Sequence, residues 1–176
     1  EKLFNSMVEQ YHYLGYSQPV GEHLKYIAYW GAVPVACAAF SSSAWHLASR
    51  DLFIGWTPDV RKKNLHLLAY NTRFLILPWV RVPYLASHLL SRFTKTISVD
   101  WQAIYNHPIY WLETIVDDER FKGTCYRAAN WIQLGKTTGR GLKAATGSAK
   151  KSVKTVYAYP LIKNYRDALG AVYEPK

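Results

Sequence analysis

Metal-ligand spacing is missing from this sequence. Its 6 His and 2 Cys residues are scattered without any His-x-x-x-His, Cys-x-x-Cys or His-x-Glu pattern, which argues against a structural zinc site and leaves no His or Cys metal ligands to name by spacing. Two cysteines, Cys37 and Cys125, are too few for a disulfide scaffold and read as buried small hydrophobes. No apolar stretch approaches the roughly eighteen residues that a membrane-spanning helix needs, and the N-terminus has no signal-peptide pattern, so a cytoplasmic chain without a membrane partner is expected. The first residue is Glu1, with no initiator methionine, so the chain is expected to be a segment of a longer protein. Acidic residues are also few: 12 Asp and Glu stand against 22 Lys and Arg, a net charge of +10 with no acidic block to offset it. Such an excess attracts polyanions, nucleic acid before anionic membrane, the alternative being a basic surface that only aids solubility.

The chain is rich in apolar and aromatic residues. With 49% hydrophobic and 15% aromatic content over 176 residues, including 14 Tyr and 7 Trp, it is long enough to bury one continuous core. The aromatic surplus implies rings facing a groove or a partner. Leu3, Met7, Val8 and Tyr11 form one helical stripe over residues 2–12, ended by Gly15 and the Ser17-Gln18-Pro19 cluster. Residues 22–30 and 33–40 read as an antiparallel hairpin about Gly31-Ala32. Residues 41–56 read as irregular, and Thr57-Pro58 as an N-cap and first helical position. Residues 71–82 read as a strand broken at Pro78, from which a splay of the sheet is expected. Pro83 opens a helix carrying Leu85, Leu89, Leu90, Phe93 and Ile97 on its apolar face, followed by a connection through Trp101 and Tyr105. A strand over 109–116, a helix from Asp118-Glu119 to about Trp131, a mobile Gly/Lys/Arg-rich basic loop at 135–151, a strand over 153–161 and a short helix over 164–172 complete the order. This predicts a single α/β (α+β) domain over residues 1–176, a mixed sheet with helices on both faces.

The turn before the long helix, Arg81-Val82-Pro83-Tyr84-Leu85-Ala86, resembles at Arg81 and Ala86 the pyrophosphate-binding turn of acetyltransferases of the GNAT class, with Tyr84 in place of a glycine and Pro83 lacking an N–H donor. His12-Tyr13-Leu14-Gly15, Arg50-Asp51 with Ile54-Gly55-Trp56, Asn71 to Pro78, Leu85-Ala86-Ser87, Glu113 to Asp117, and Gly123 to Trp131 with Gly139-Arg140-Gly141 are similar to the DruA family over about residues 8–161. That family is associated with the Druantia anti-phage system and with transposon-encoded proteins. The resemblance implies a GNAT-like fold, antiviral defence or mobile-element biology, and other defence or transposition proteins as partners. Arg73, Ser87, Asp117 and the Gly123–Trp131 segment also resemble, more distantly, phage Mom-type proteins that modify adenine in DNA.

The residues can also be weighed by their own chemistry. On a strand, Glu113 and Asp117 share a face about 13 Å apart at roughly 3.3 Å per residue, too far to share a proton. Asp117 at a strand end suits a general base or a metal ligand in a cleft; the alternative is that Asp117 or Asp118 caps the next helix. Arg73 reads either as an anion clamp or as an ion-pair partner of Asp117 or Glu113, and Tyr126 as an acid, a stacking platform or a core ring. Ser87 has no His partner at a hydrolase spacing, and His12 reads either as an acid or base near the mouth or as a satisfied structural histidine. Arg61, Lys62, Lys63, Arg140, Lys143, Lys150 and Lys151 are expected to contribute to one DNA-binding face. Three functions follow: group transfer to a nucleobase from a donor that the sequence does not identify, with Tyr84 counting against an acyl-CoA-type one; cleavage of a strand with a divalent metal through Glu113, Asp117 and a His; or DNA recognition without catalysis.

Overall fold

The computed structural model describes residues 1–137 and 153–170. Its six strands form one mixed sheet in the order β1-β2-β3-β4-β6-β5. The elements are α1 (Lys2–Tyr11), β1 (His23–Trp30), β2 (Val33–Ser42), α2 (Ala48–Ile54), α3 (Pro58–Asn64), a 3-10 turn (Leu65–Leu67), β3 (Leu68–Ile76), α4 (Leu85–Tyr105), β4 (Trp111–Asp117), α5 (Thr124–Ala128), β5 (Ile132–Lys136), β6 (Lys154–Pro160) and α6 (Tyr165–Gly170). Helices cover both faces, as the binary pattern predicts. On one, α4 and α5 bury Leu90, Phe93, Ile97, Trp101 and Tyr126 against Ala38, Phe40, Ala69 and Leu112. On the other, α1 packs Phe4, Met7 and Val8 on Cys37 and Ala39, while α2 and α6 pack Ile54, Tyr165 and Leu169 on Leu68, Trp111 and Ala158.

The β1–β2 hairpin forms as predicted, with Trp30 opposite Val33 at its tip. Thr57 caps α3 as expected, its hydroxyl accepting the Val60 N–H at 3.4 Å. Several boundaries differ from the sequence expectations. The region 41–56 contains α2, and the stripe of α1 that turns inward is Phe4, Met7 and Val8, leaving Leu3 and Tyr11 exposed. Helix α4 continues through Trp101 to Tyr105 because Trp101 extends the buried stripe of Phe93 and Ile97 by another turn. The helix expected from Asp118 is only Thr124–Ala128, because Gly123 stands at φ +64° as its N-cap. A Cβ on Gly123 would lie 2.5 Å from the Tyr157 hydroxyl, so close packing as well as backbone geometry selects glycine there. Gly135 and Lys136, placed in the basic loop, instead belong to edge strand β5.

The central strands part early. β3 and β4 run parallel and pair at Leu68↔Trp111, Ala69↔Leu112 and Tyr70↔Glu113, after which β3 follows β2 and β4 follows β6. A bulge contributes. Ala39 and Phe40 of β2 face Arg73 and Asn71, so Thr72 is the extra residue. The freed Ala39 carbonyl is taken up by the Asn71 amide at 2.9 Å and the Thr72 hydroxyl at 3.3 Å. The bulge also shifts the alternation of side chains. Ala69 and Phe74, five positions apart, both pack toward α4, while Leu68 and Leu75 pack on the opposite face. Arg73 is thereby placed on the same side as Tyr70, in the gap between α1 and the α2/α6 layer. The splay therefore opens at Asn71, well before the expected Pro78.

Candidate functional site

Three groups of residues surround the splay. The first is its root. Thr114 Oγ1 donates to the Asn71 carbonyl at 3.1 Å, replacing a ladder bond at the first position where β3 and β4 separate. From α5, Tyr126 donates its phenol to Asn71 Oδ1 at 2.8 Å. Its ring is stacked on Tyr157 and edge-on to Trp131, and burial pushes its ionisation far above the ordinary range. Tyr126 is thus a buried brace of the splay and not a ring lining the opposite cleft.

The second group is the turn into α4. Tyr84 adopts the left-handed conformation at φ +62°, the backbone geometry that a glycine supplies most cheaply. Its side chain is 85% exposed, so it does not plug the turn. Ser87 Oγ donates to the Tyr84 carbonyl at 3.0 Å and so braces the turn. Arg81 is exposed and Ala86 half-buried. The first-turn N–H groups of α4 lack intrahelical acceptors, as at any helix N-terminus, and carry the positive end of a 21-residue helix.

The third group occupies the other face, at the ends of β3 and β4. Arg73 donates to the Gly15 carbonyl (2.9 Å), the Thr72 carbonyl (2.8 Å) and Ser17 Oγ (3.1 Å), and pairs with neither Asp117 nor Glu113. Asp117 is half-buried, and its Oδ1 accepts the Glu119 N–H at 3.2 Å across a turn that precedes no helix directly. Tyr13 belongs to the same group: its phenol is raised by burial first and the Asp117 charge second, while Arg73 and Arg120 oppose the rise. Tyr13 packs on Phe121 with ring centroids 5.2 Å apart and on His12 at 4.8 Å. His12 Nδ1 accepts the Leu14 N–H at 3.2 Å, and burial followed by the Arg73 charge lowers its imidazole to about 4. Tyr70 faces the same gap, its phenol raised to about 12 by burial and then by Glu113.

Glu113 does not belong to this opening. It is fully buried, and its Oε1 accepts Arg50 Nη1 at 3.0 Å. Arg50, also fully buried, binds Asp51 at 2.8 Å, and Asp51 in turn holds Arg61 at 2.8 Å and the Trp56 indole at 3.1 Å. Two cations and two carboxylates close a neutral network beneath α2. Burial raises the Glu113 carboxyl, and the Arg50 charge opposes the rise. The proposed Glu113–Asp117–His ligand set is therefore not assembled: Glu113 faces Arg50 inside the protein, while Asp117 stands at the strand end. Arg61 is likewise committed to Asp51 and lies over Trp45, whereas Lys62 and Lys63 are exposed. Arg140, Lys143, Lys150 and Lys151 lie outside the described residues. The structure thus brings His12, Arg73 and Asp117 to one face, puts Tyr126 and Ser87 in bracing positions, and adds Tyr13, Tyr70, Arg120 and Phe121, which composition and spacing did not single out.

Comparison with known proteins agrees with this geometry. A family model described as Druantia protein DruA matches residues 1–147. No curated protein matches the chain. Among solved structures, a putative acetyltransferase from Salmonella typhimurium with its cofactor acetyl-CoA superposes with a TM-score of 0.52 at 9% identity, over 81% of this chain and 66% of that one. An N-acetyltransferase from Staphylococcus aureus Mu50 gives 0.50 at 16% identity, over 80% and 68%. A Salmonella typhimurium acetyl transferase that modifies the N-terminal serine of ribosomal protein L7/L12 gives 0.50 at 10% identity, over 80% and 64%. The chain spans about two thirds of the length of these acetyltransferases. At such identities the likeness shows the fold, a GNAT-type mixed sheet with parted central strands. Among the described residues no helix is long and apolar enough to cross a membrane.

Proposed function

This chain belongs to the Druantia protein DruA family, and from that membership we propose that it transfers a group from an acyl-CoA-type donor to a base in DNA, in anti-phage defence or a mobile element. The observation that carries this reading is the parting of β3 and β4 after Tyr70 and Glu113, with the turn into α4 at the end of β3 and Asp117 at the end of β4.

The turn fits the diphosphate of coenzyme A. Tyr84 supplies the left-handed backbone and keeps its ring in solvent, the first-turn N–H groups of α4 offer donors despite the missing one at Pro83, and Arg81 is exposed beside them. A coenzyme A thioester held there supplies an activated acyl group. Asp117 would take the proton that the acceptor nitrogen loses on acylation and pass it to the departing coenzyme A thiol. Arg73 holds an anionic part of the acceptor. Tyr126 and Thr114 act through Asn71, fixing the width of the opening. Ser87 holds the Tyr84 carbonyl and so the shape of the turn. His12 is neutral at physiological pH and forms the mouth beside Tyr13.

DNA as acceptor is supported by the net charge of +10 and by exposed Lys62 and Lys63. A base in a duplex has to be unpaired or flipped before its amine is reached. Calorimetry with coenzyme A tests the donor end: binding that weakens in Arg81→Glu and survives Tyr84→Gly is expected. No binding at millimolar coenzyme A, or binding indifferent to Arg81→Glu, would reject that end of the site.

A further inference from the structure

Arg73 is a half-buried cation with neutral acceptors. Three other buried or half-buried cations are paired with carboxylates: Arg50 with Glu113 and Asp51, Arg61 with Asp51, and Lys25 with Glu1. Arg73 takes part in none of the ion pairs among the described residues, and three of its five N–H donors are used on Gly15, Thr72 and Ser17. Among the described residues one N–H remains on each of Nη1 and Nη2, and these suit an oxyanion. The neighbouring carboxylates are occupied: Glu9 Oε2 accepts the Tyr16 N–H at 2.6 Å, and Glu1 holds Lys25. Ser17, Ser41 and Thr72 line the same pocket beside Arg73.

Next to this cation stands a partly exposed pair of rings. Tyr13 is 39% and Phe121 48% exposed, their centroids 5.2 Å apart, with the Arg120 guanidinium 5.2 Å from the Tyr13 centroid. Arg73 holds the carbonyl of Gly15, two residues beyond Tyr13, at 2.9 Å, so the same loop sets the rings beside the cation. A cation for a phosphate beside rings for an unstacked base is the arrangement that single-stranded nucleic acid requires.

We propose that Arg73 and the Tyr13–Phe121 pair form a subsite for one nucleotide of single-stranded DNA, Arg73 taking a phosphodiester and the rings the adjacent base. This deepens the group-transfer reading and rests on it for the role of Asp117. The subsite orients the strand so that the held base lies toward the end of β4.

Fluorescence anisotropy of the full chain with a labelled single strand of about twelve nucleotides tests it. Arg73→Gln weakens binding about tenfold, as does Tyr13→Ala, on the scale of one lost charged hydrogen bond or one stacked base. In a scan of strands each carrying one uncharged methylphosphonate linkage, one position weakens the unsubstituted protein by a similar factor and weakens Arg73→Gln no further. If the scan finds no such position, or if Arg73→Gln lowers affinity for charged and uncharged linkages alike, Arg73 merely braces the loop at Gly15 and Ser17 and the subsite is refuted. Arg73→Lys, which keeps the charge and loses the guanidinium, retains part of the coupling. Inorganic phosphate that displaces the strand as well as a mononucleotide does would remove the rings from the site and overturn the base half. Coupling without any modified nucleoside sinks the transfer reading and leaves the subsite standing; modification without coupling does the reverse.

Discussion

Tyr126 donates its phenolic hydrogen to Asn71 Oδ1 across 2.8 Å, and this bond joins α5 to the residue at which the two central strands separate. Asn71 also accepts Thr114 Oγ1 through its carbonyl and donates to Ala39 and Arg73 carbonyls through its amide. One side chain and its backbone thus replace the ladder bonds that the parted strands have given up. The opening has a built root, satisfied in its hydrogen bonds, which is how a splayed sheet survives the cost of exposing its strand edges.

Tyr126→Phe leaves the buried Asn71 oxygen without its donor, so stability falls by about 1–3 kcal/mol. Urea unfolding measures the loss. Combined with Thr114→Val the effects are non-additive, because both bonds converge on Asn71. Additive losses would show that the two groups act separately and that Asn71 is not the common root.

Arg50→Ala removes the cation that both Glu113 and Asp51 address. An uncompensated buried carboxylate then costs about 3–5 kcal/mol, seen as a large drop in melting temperature or in soluble yield. Asp117→Asn, at the half-buried strand end, changes stability by less than about 1 kcal/mol. The contrast separates the structural carboxylate from the one assigned to chemistry.

His12 gives a pH signature. Its folded value is about 4, against an ordinary 6.5, so the unfolded chain binds this proton more readily. The stability that neutral His12 contributes is complete above about pH 6.5 and is lost as pH falls toward 4, by at most about 3 kcal/mol before solvent screening reduces it. His12→Gln flattens that window. In NMR titration Arg73→Gln moves the His12 value upward, because it removes the cation that opposes protonation. An unchanged titration would place the Arg73 charge away from the site.

What the sequence disclosed depended on the range of the interactions involved. The hairpin at Gly31, the Thr57 cap and the apolar stripe of α4 depend on neighbours a few residues apart, and all three were legible. Pro78 was a misleading cue for the splay, because the parting is set by the Thr72 bulge and by Tyr126 reaching Asn71 across 55 positions. By its place on the strand Glu113 reads as a catalytic carboxylate, but Arg50, 63 positions away in sequence, closes on it. Strand β5 carries no sequence signal, because five residues on an edge, with Gly135 among them, show no clear alternation. Tyr13 and Phe121 gave no periodic signal either, since both lie on connections outside regular elements.

The central claim is transfer of a group to a base through an opening of which Asp117 forms one edge. Its most direct test is to incubate the full chain with acetyl-CoA and single-stranded DNA, digest the DNA to nucleosides and measure their masses. The account predicts one nucleoside heavier by the transferred group, lost in Asp117→Asn while that variant still binds DNA. Unmodified nucleosides from a protein that binds both acetyl-CoA and DNA, or modification at an equal rate in Asp117→Asn, would contradict it.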